Sequence, residues 1–237
     1  MAGEALFHRA GLDDRVALVD LVSGDDDAVL APGVLDEIAR NVDAWSADPA
    51  VRTIVVRGAP GTFCTGFATA SERAVDARML QVRRVQRLSA LLEAAPLPVI
   101  AAVDGPAVAG GFALALMCDL IVASDEAVFG VGDRPSPGLL SRLRAAVGTR
   151  TARWLAATGD ELTASRAHRL GLVSELIPHS SFPDRSLDLA ERIADHAMGR
   201  SSARVKALTG SDGPSSGELR LELEIALAER AVEETAR

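Results

Sequence analysis

The chain has 237 residues, 48% of them apolar, and its 33 acidic against 25 basic side chains leave a net charge of −8. That length fits one large α/β domain, or a core with a small helical appendage, and the apolar fraction is ample for a buried core. The acidic excess argues against a nucleic-acid partner. With no signal-peptide pattern in MAGEALFHRAGLDDR and no run of about eighteen uncharged apolar residues, no membrane contact is expected and a soluble, cytoplasmic protein is.

In chain order, Ser23-Gly24-Asp25-Asp26-Asp27-Ala28 is an acidic loop, and Thr53 to Arg57 reads as a strand. That strand leads through Gly58-Ala59-Pro60-Gly61 into Phe63-Cys64-Thr65-Gly66-Phe67. A helix from Ser71 to Ala94 follows. Its Arg73, Arg78, Arg83, Arg84 and Arg87 fall partly at i, i+4 spacing and read as a solvated face, with phosphate contact the less favoured alternative.

Val99 to Val103 is a continuously apolar strand between Pro98 and the turn Asp104-Gly105-Pro106. A buried helix opens at Gly110-Gly111 and runs through the apolar stretch Phe112 to Met117; its first amides have no partner within the helix and are free for an anionic or polarised oxygen. Strand, glycine turn and helix thus occur twice, and two such turns supply two amides. Ile121 to Ala123, then Val128 and Phe129, read as further strands, and Gly132 to Gly138 as a polar loop.

Gly210 to Gly217 reads as a linker, and Glu218 to Arg237 as a helix whose stripe of Leu221, Ile225, Ala228 and Val232 needs a covering surface. Cys64 and Cys118 fall inside apolar elements and read as core thiols. The histidines His8, His168, His179 and His196 lack ligand spacing, so no metal is expected, and His168 reads as a surface residue. A serine nucleophile has no support around Gly110.

The two turn sequences, FCTGFAT and GPAVAGGFALALMCD, together with AVGTRTARWLAATGDELTASRAHRLGLVSELIP from Ala146 to Pro178, resemble the crotonase superfamily, the enoyl-CoA hydratases and isomerases. The resemblance runs from about Val16 to Lys206. It implies an α/β fold of the ClpP/crotonase type: repeated ββα units forming a spiral core with an oxyanion hole over residues 1–185, and a C-terminal helical region over 186–237 that serves oligomerisation and site closure. It further implies a homotrimer or hexamer.

By the same resemblance the Phe67 and Gly110 amides bind a thioester carbonyl and stabilise the enolate formed from it, and Cys64, Gly66, Gly111, Phe112 and Ala113 line the substrate site. The substrate is a coenzyme A thioester, or one tethered to an acyl carrier protein, and no cofactor is bound. Hydratases of the family carry two glutamates; here the first position is Ala113, which cannot transfer a proton, and the second falls on Asp133. Asp133 is the candidate acid or base, against the plainer readings that it caps a turn or pairs with Arg134.

A single carboxylate disfavours simple hydration and favours double-bond isomerisation or decarboxylation of a malonyl-type thioester. The first loop, where the family carries an arginine toward the adenine end of coenzyme A, has three acids and none. Lys206, the only lysine, matches a family lysine that could meet a phosphate, although solvation is the commoner fate of such a side chain. Phe67, Phe112 and Trp154 are either pocket lining or core. The expected function is acyl-thioester processing; the alternative is a catalytically reduced subunit of the same fold that supports a partner enzyme.

Overall fold

A computed structural model describes residues 3–22, 28–31, 33–68, 75–196 and 206. Its main sheet has six strands, β1 (Glu4–Ala10), β2 (Val16–Val22), β4 (Thr53–Gly58), β6 (Val99–Val103), β8 (Leu120–Ser124) and β11 (Glu175–Ile177), in that spatial order. β1 joins β2 as an antiparallel pair; all the other pairings are parallel. From β2 to β8 spatial order follows chain order. Each parallel step is made through a crossover holding a helix: α1 (Val34–Ala47), then α2 (Val75–Ala94), then the short α3 (Gly110–Ala115). The repeated strand-and-helix spiral is the α/β architecture expected of the chain.

The central strands read as unbroken apolar runs because both faces of the sheet are covered. Ala17, Val19, Leu21, Ile54, Val56, Val99, Ala101, Val103, Ile121 and Ala123 face a large core shared with α1, α2 and α3. Their alternating neighbours Val16, Leu18, Val55, Ile100, Ala102 and Val122 face the opposite way, against Phe182, Ala190 and Ala194 of α6 (Phe182–Asp195). The division expected at residue 186 therefore falls within a helix that covers the sheet.

Two smaller sheets sit over the large core. β3 (Val29–Leu30) pairs with β5 (Gly66–Phe67), and β7 (Pro106–Val108), β9 (Val128–Gly130) and β10 (Leu162–Thr163) form the other. A bridge from Cys64 to Ala107 joins them. Under the second, Phe112 of α3 and Phe129 of β9 stack at 5.3 Å between ring centroids. Beyond the loop 131–138, α4 (Leu139–Thr158) starts directly after Gly138, earlier than the resemblance places a helix, and is interrupted at Gly148, whose φ of 79° is not helical. α5 (Ala164–Arg169) then leads into β11.

Several expectations lie outside the described residues: the acidic loop at 23–27, the stretch 69–74 including the start of the helix expected from Ser71, the linker at Gly210 to Gly217, and the helix from Glu218 onward.

Candidate active site

The two glycine turns meet. After β4, Thr62 N–H donates to the Ala59 carbonyl and closes the first turn, and the Phe63 and Cys64 amides both donate to the Pro106 carbonyl at 3.1 Å. The Val108 amide returns a bond to the Cys64 carbonyl at 2.9 Å. Segment 63–65 is thus laid along β7, the strand that leads into α3.

Glycine is obligatory at the start of α3 because the contact leaves no room for a β-carbon. A methyl group on Gly111 would overlap the Cys64 carbonyl, lying 2.5 Å from its carbon and 2.8 Å from the Cys64 Cβ. On Gly110 it would meet the Phe67 ring at 2.7 Å. Phe67 therefore lies directly on Gly110, so the two residues nominated from sequence are neighbours in space.

Their amides are differently prepared. In the parallel β3–β5 ladder it is Ala68 N–H that donates to the Leu30 carbonyl, at 2.8 Å. Alternate residues of a strand turn their N–H groups to opposite sides, so the Phe67 amide is directed away from β3. Gly110 is the first residue of α3, and Ala113 is the first whose N–H finds an acceptor in the turn, the Ala109 carbonyl at 3.0 Å. Gly110, Gly111 and Phe112 thus have no acceptor within the helix.

Ala109 carries φ 48° and ψ −107°, a conformation that costs a non-glycine residue about 1–3 kcal/mol. It is held there by its amide bond to the Gly130 carbonyl, 2.9 Å. Strain of this kind at a strand-to-helix turn was not readable from the sequence, where Ala109 is an ordinary small residue.

Asp133 is exposed, in the loop that leaves β9. The preceding Gly132 packs on the turn: a β-carbon there would sit 3.0 Å from the Ala109 Cβ. This sets Asp133 one residue from the Gly110 turn. Neither a turn-capping bond nor an ion pair with Arg134 is formed by Asp133 among the described residues. Cys64, Phe112 and Ala113 are fully buried, while Gly66 and Phe67 are half-buried. Burial pushes the Cys64 thiol up to about 12, which keeps it protonated.

Lys206 is not solvated. Its Nζ lies 2.8 Å from Asp119 Oδ2 and donates to the Leu92 carbonyl at 3.0 Å, leaving its side chain 12% exposed. Contact with a phosphate would require it to leave Asp119, whose Oδ2 also accepts the Val99 amide. Desolvation raises the Asp119 pKa and Lys206 opposes the rise. Arg84 is likewise paired, with Asp36 of α1 at 2.7 Å, whereas Arg83 and Arg87 are exposed as expected. Trp154 lies outside the core: it is exposed on α4 with the Arg166 guanidinium over its ring. Both cysteines are free, and His168 is exposed.

Sequence reading missed one polar group beside the site. Asp104 is 5% exposed, and its carboxylate binds both the Gly61 amide and the His179 ring. The only local signal was an acidic residue between a buried strand and Gly-Pro. Among the described residues no group of three or more side chains is arranged to hold a metal ion, and no helix is long and apolar enough to cross a membrane.

A spiral of parallel strands with two smaller sheets over the core defines a crotonase-type α/β protein. The chain belongs to the enoyl-CoA hydratase/isomerase family of that superfamily, whose model matches residues 13–234. It is 32% identical over 199 residues to a probable mitochondrial enoyl-CoA hydratase of Dictyostelium discoideum, covering 78% of this chain and 68% of the relative. Among solved structures, a probable enoyl-CoA hydratase from Mycobacterium smegmatis superposes with a TM-score of 0.82 at 23% identity, over 98% of this chain and 97% of the other. A monofunctional enoyl-CoA isomerase from Mycobacterium smegmatis superposes with a TM-score of 0.72 at 27% identity, covering 91% and 97%.

Proposed function

We propose that the protein acts on an acyl thioester, carried by coenzyme A or by an acyl carrier protein, and that its Phe67 and Gly110 amides stabilise the enolate formed from the thioester carbonyl. The observation that supports this reading is the seating of the Phe67 ring on Gly110, with Gly111 flush against the Cys64 carbonyl, so that the two nominated residues are neighbours. One such donor contributes roughly 3–4 kcal/mol to the transition state.

Asp133 moves the proton in this scheme. With Ala113 at the other position, the reaction is one that a single carboxylate can serve. Isomerisation of an enoyl thioester fits: the base removes a proton from the carbon next to the carbonyl and returns it further along the chain. Decarboxylation of a malonyl-type thioester fits as well: the bond from C2 to the carboxylate breaks, carbon dioxide leaves, and the electron pair forms a thioester enolate that takes one proton at C2 by way of Asp133. The region 186–237, of which α6 covers the sheet, completes the site and the oligomer in this scheme.

Incubation with crotonyl-, 3-enoyl- and methylmalonyl-CoA, followed by mass spectrometry of the products, tests the reading. Isomerised or decarboxylated product is expected, and hydration of crotonyl-CoA as the main reaction would overturn the single-carboxylate scheme. The full burial of Ala113 favours a second reading, a catalytically reduced subunit that supports a partner enzyme. No turnover, together with no calorimetric binding of coenzyme A, would favour that subunit.

A further inference from the structure

We propose that Asp104 and His179 form a positioning pair that fixes the loop delivering the Phe67 amide, without touching the substrate. The inference rests on the function proposed above and adds residues to the same site. Asp104 follows β6 directly and is nearly fully buried, so its carboxylate needs partners for both oxygens. Oδ1 meets His179 Nδ1 at 2.7 Å, and Oδ2 accepts the Gly61 amide at 3.2 Å.

Gly61 belongs to the turn after β4, three residues before Cys64. The loop is therefore held at Gly61 by the carboxylate and at residues 63 and 64 by the Pro106 carbonyl. Backbone approach at the first point is very close. Gly105 has φ +145°, and a β-carbon there would lie 2.5 Å from the Gly61 carbonyl carbon and 2.8 Å from the Thr62 Cα. Both anchors lie in 104–106, the segment that continues into β7, so the loop bearing Phe67 is registered against the strand that leads to Gly110.

The histidine is fixed from the other side. It follows β11, its backbone N–H donates to Asp125 Oδ1 at 2.7 Å, and the Asp125 amide donates to the Ile177 carbonyl at 3.0 Å. The side chain is 38% exposed, so the ring exchanges protons with solvent. The ionisable groups bearing on it are Asp104 from the end of β6 and Asp125 and Glu126 from the turn after β8, all anionic. The bond and charge of Asp104 lead in raising its pKa above the ordinary histidine value. Below that raised value the imidazolium balances the buried carboxylate. As pH rises through it the charge is lost and the anchor weakens, so turnover falls on the alkaline side.

The test uses the full chain with 3-enoyl-CoA as substrate and three variants, His179→Leu, His179→Asn and Asp104→Asn. The first removes the donor; the second keeps an N–H near the position of Nδ1 without a titrating ring. His179→Leu is expected to lower kcat by about tenfold or more with KM within about threefold, as a displaced catalytic group does. His179→Asn should restore most of kcat and flatten the alkaline limb of the pH profile. NMR titration of the His179 ring in the wild type should give a midpoint above about 6.5, returning toward it in Asp104→Asn, where Gly61 amide exchange should also quicken.

Unchanged kcat and pH profile in His179→Leu would overturn the pair while leaving the proposed function standing. An unshifted midpoint insensitive to Asp104→Asn would overturn it too. If the wild type turns over no thioester, the proposed function fails, and the titration and Gly61 exchange still decide whether the anchor exists. If His179→Leu does not fold, His179→Asn and the wild-type pH profile carry the test.

Discussion

Substituting alanine at Gly111 tests the contact on which the site is built. The added methyl would lie 2.5 Å from the Cys64 carbonyl carbon, where ordinary contact begins at 3.4 Å. Loop and helix must therefore separate by at least about 0.9 Å, and by more to clear the Cys64 carbonyl oxygen, which lies nearer still. The obstacle is backbone, so no side-chain rotation relieves it. Overpacking of this kind costs about 1–3 kcal/mol. The larger effect is on chemistry: a shift of about 1 Å between groups that act together lowers turnover roughly a hundredfold.

The separation also stretches the bond from the Val108 amide to the Cys64 carbonyl, 2.9 Å in the native chain. Turnover of 3-enoyl-CoA and thermal melting measure the two effects. Gly33→Ala is the control. Gly33 has φ −78°, and a β-carbon there would meet nothing within 4 Å, so alanine should be neutral or stabilise by up to about 1 kcal/mol. A Gly111→Ala protein with native melting temperature and full turnover would refute the proposed site geometry.

Lys206→Met leaves Asp119 desolvated without its ammonium and should destabilise the fold by about 1–3 kcal/mol. A carboxyl raised further in the folded state keeps a proton that the unfolded chain has lost, so the variant's stability should fall more steeply than the wild type's as pH rises above the ordinary aspartate range, as denaturant titrations at several pH values would show. Asp133→Asn should lower kcat about a hundredfold or more with little change in KM; full activity would remove the assigned role. The thiols of the buried Cys64 and the half-buried Cys118, both raised by desolvation, should resist an aromatic disulfide reagent at pH 8 in the native state and react as two equivalents in guanidinium, as the released thiolate absorbance will report.

The parts legible in the sequence are those encoded by short stretches of backbone. The strand Val99 to Val103 is found with the bounds that its apolar run and flanking Pro98 and Asp104 suggest. α3 begins at Gly110, as the glycine pair implies. A buried parallel strand needs only its own residues to be recognised, and a glycine required for close approach stands in the sequence whatever it approaches. Lys206 illustrates the opposite case. Its partners Leu92 and Asp119 are distant in the chain, and nothing near position 206 separates a buried ammonium from a solvated one.

The same distinction explains why the proposed amides were nominated and the Asp104–His179 pair was not. An amide donor is supplied by any residue except proline, so its placement depends on turn geometry, which glycines announce. A side-chain anchor depends on two particular residues meeting, and these are 75 positions apart, one in a Gly-Pro turn and the other after β11. Ala109 adds a further limit. Its strained backbone is held by the Gly130 carbonyl, and Gly132 packs beside it, both contributed by the strand and loop that precede Asp133. The loop bearing the proposed proton carrier is therefore also the one that holds the Gly110 turn in shape, so changes to residues 130–132 should disturb the proposed oxyanion donor and the proton carrier together.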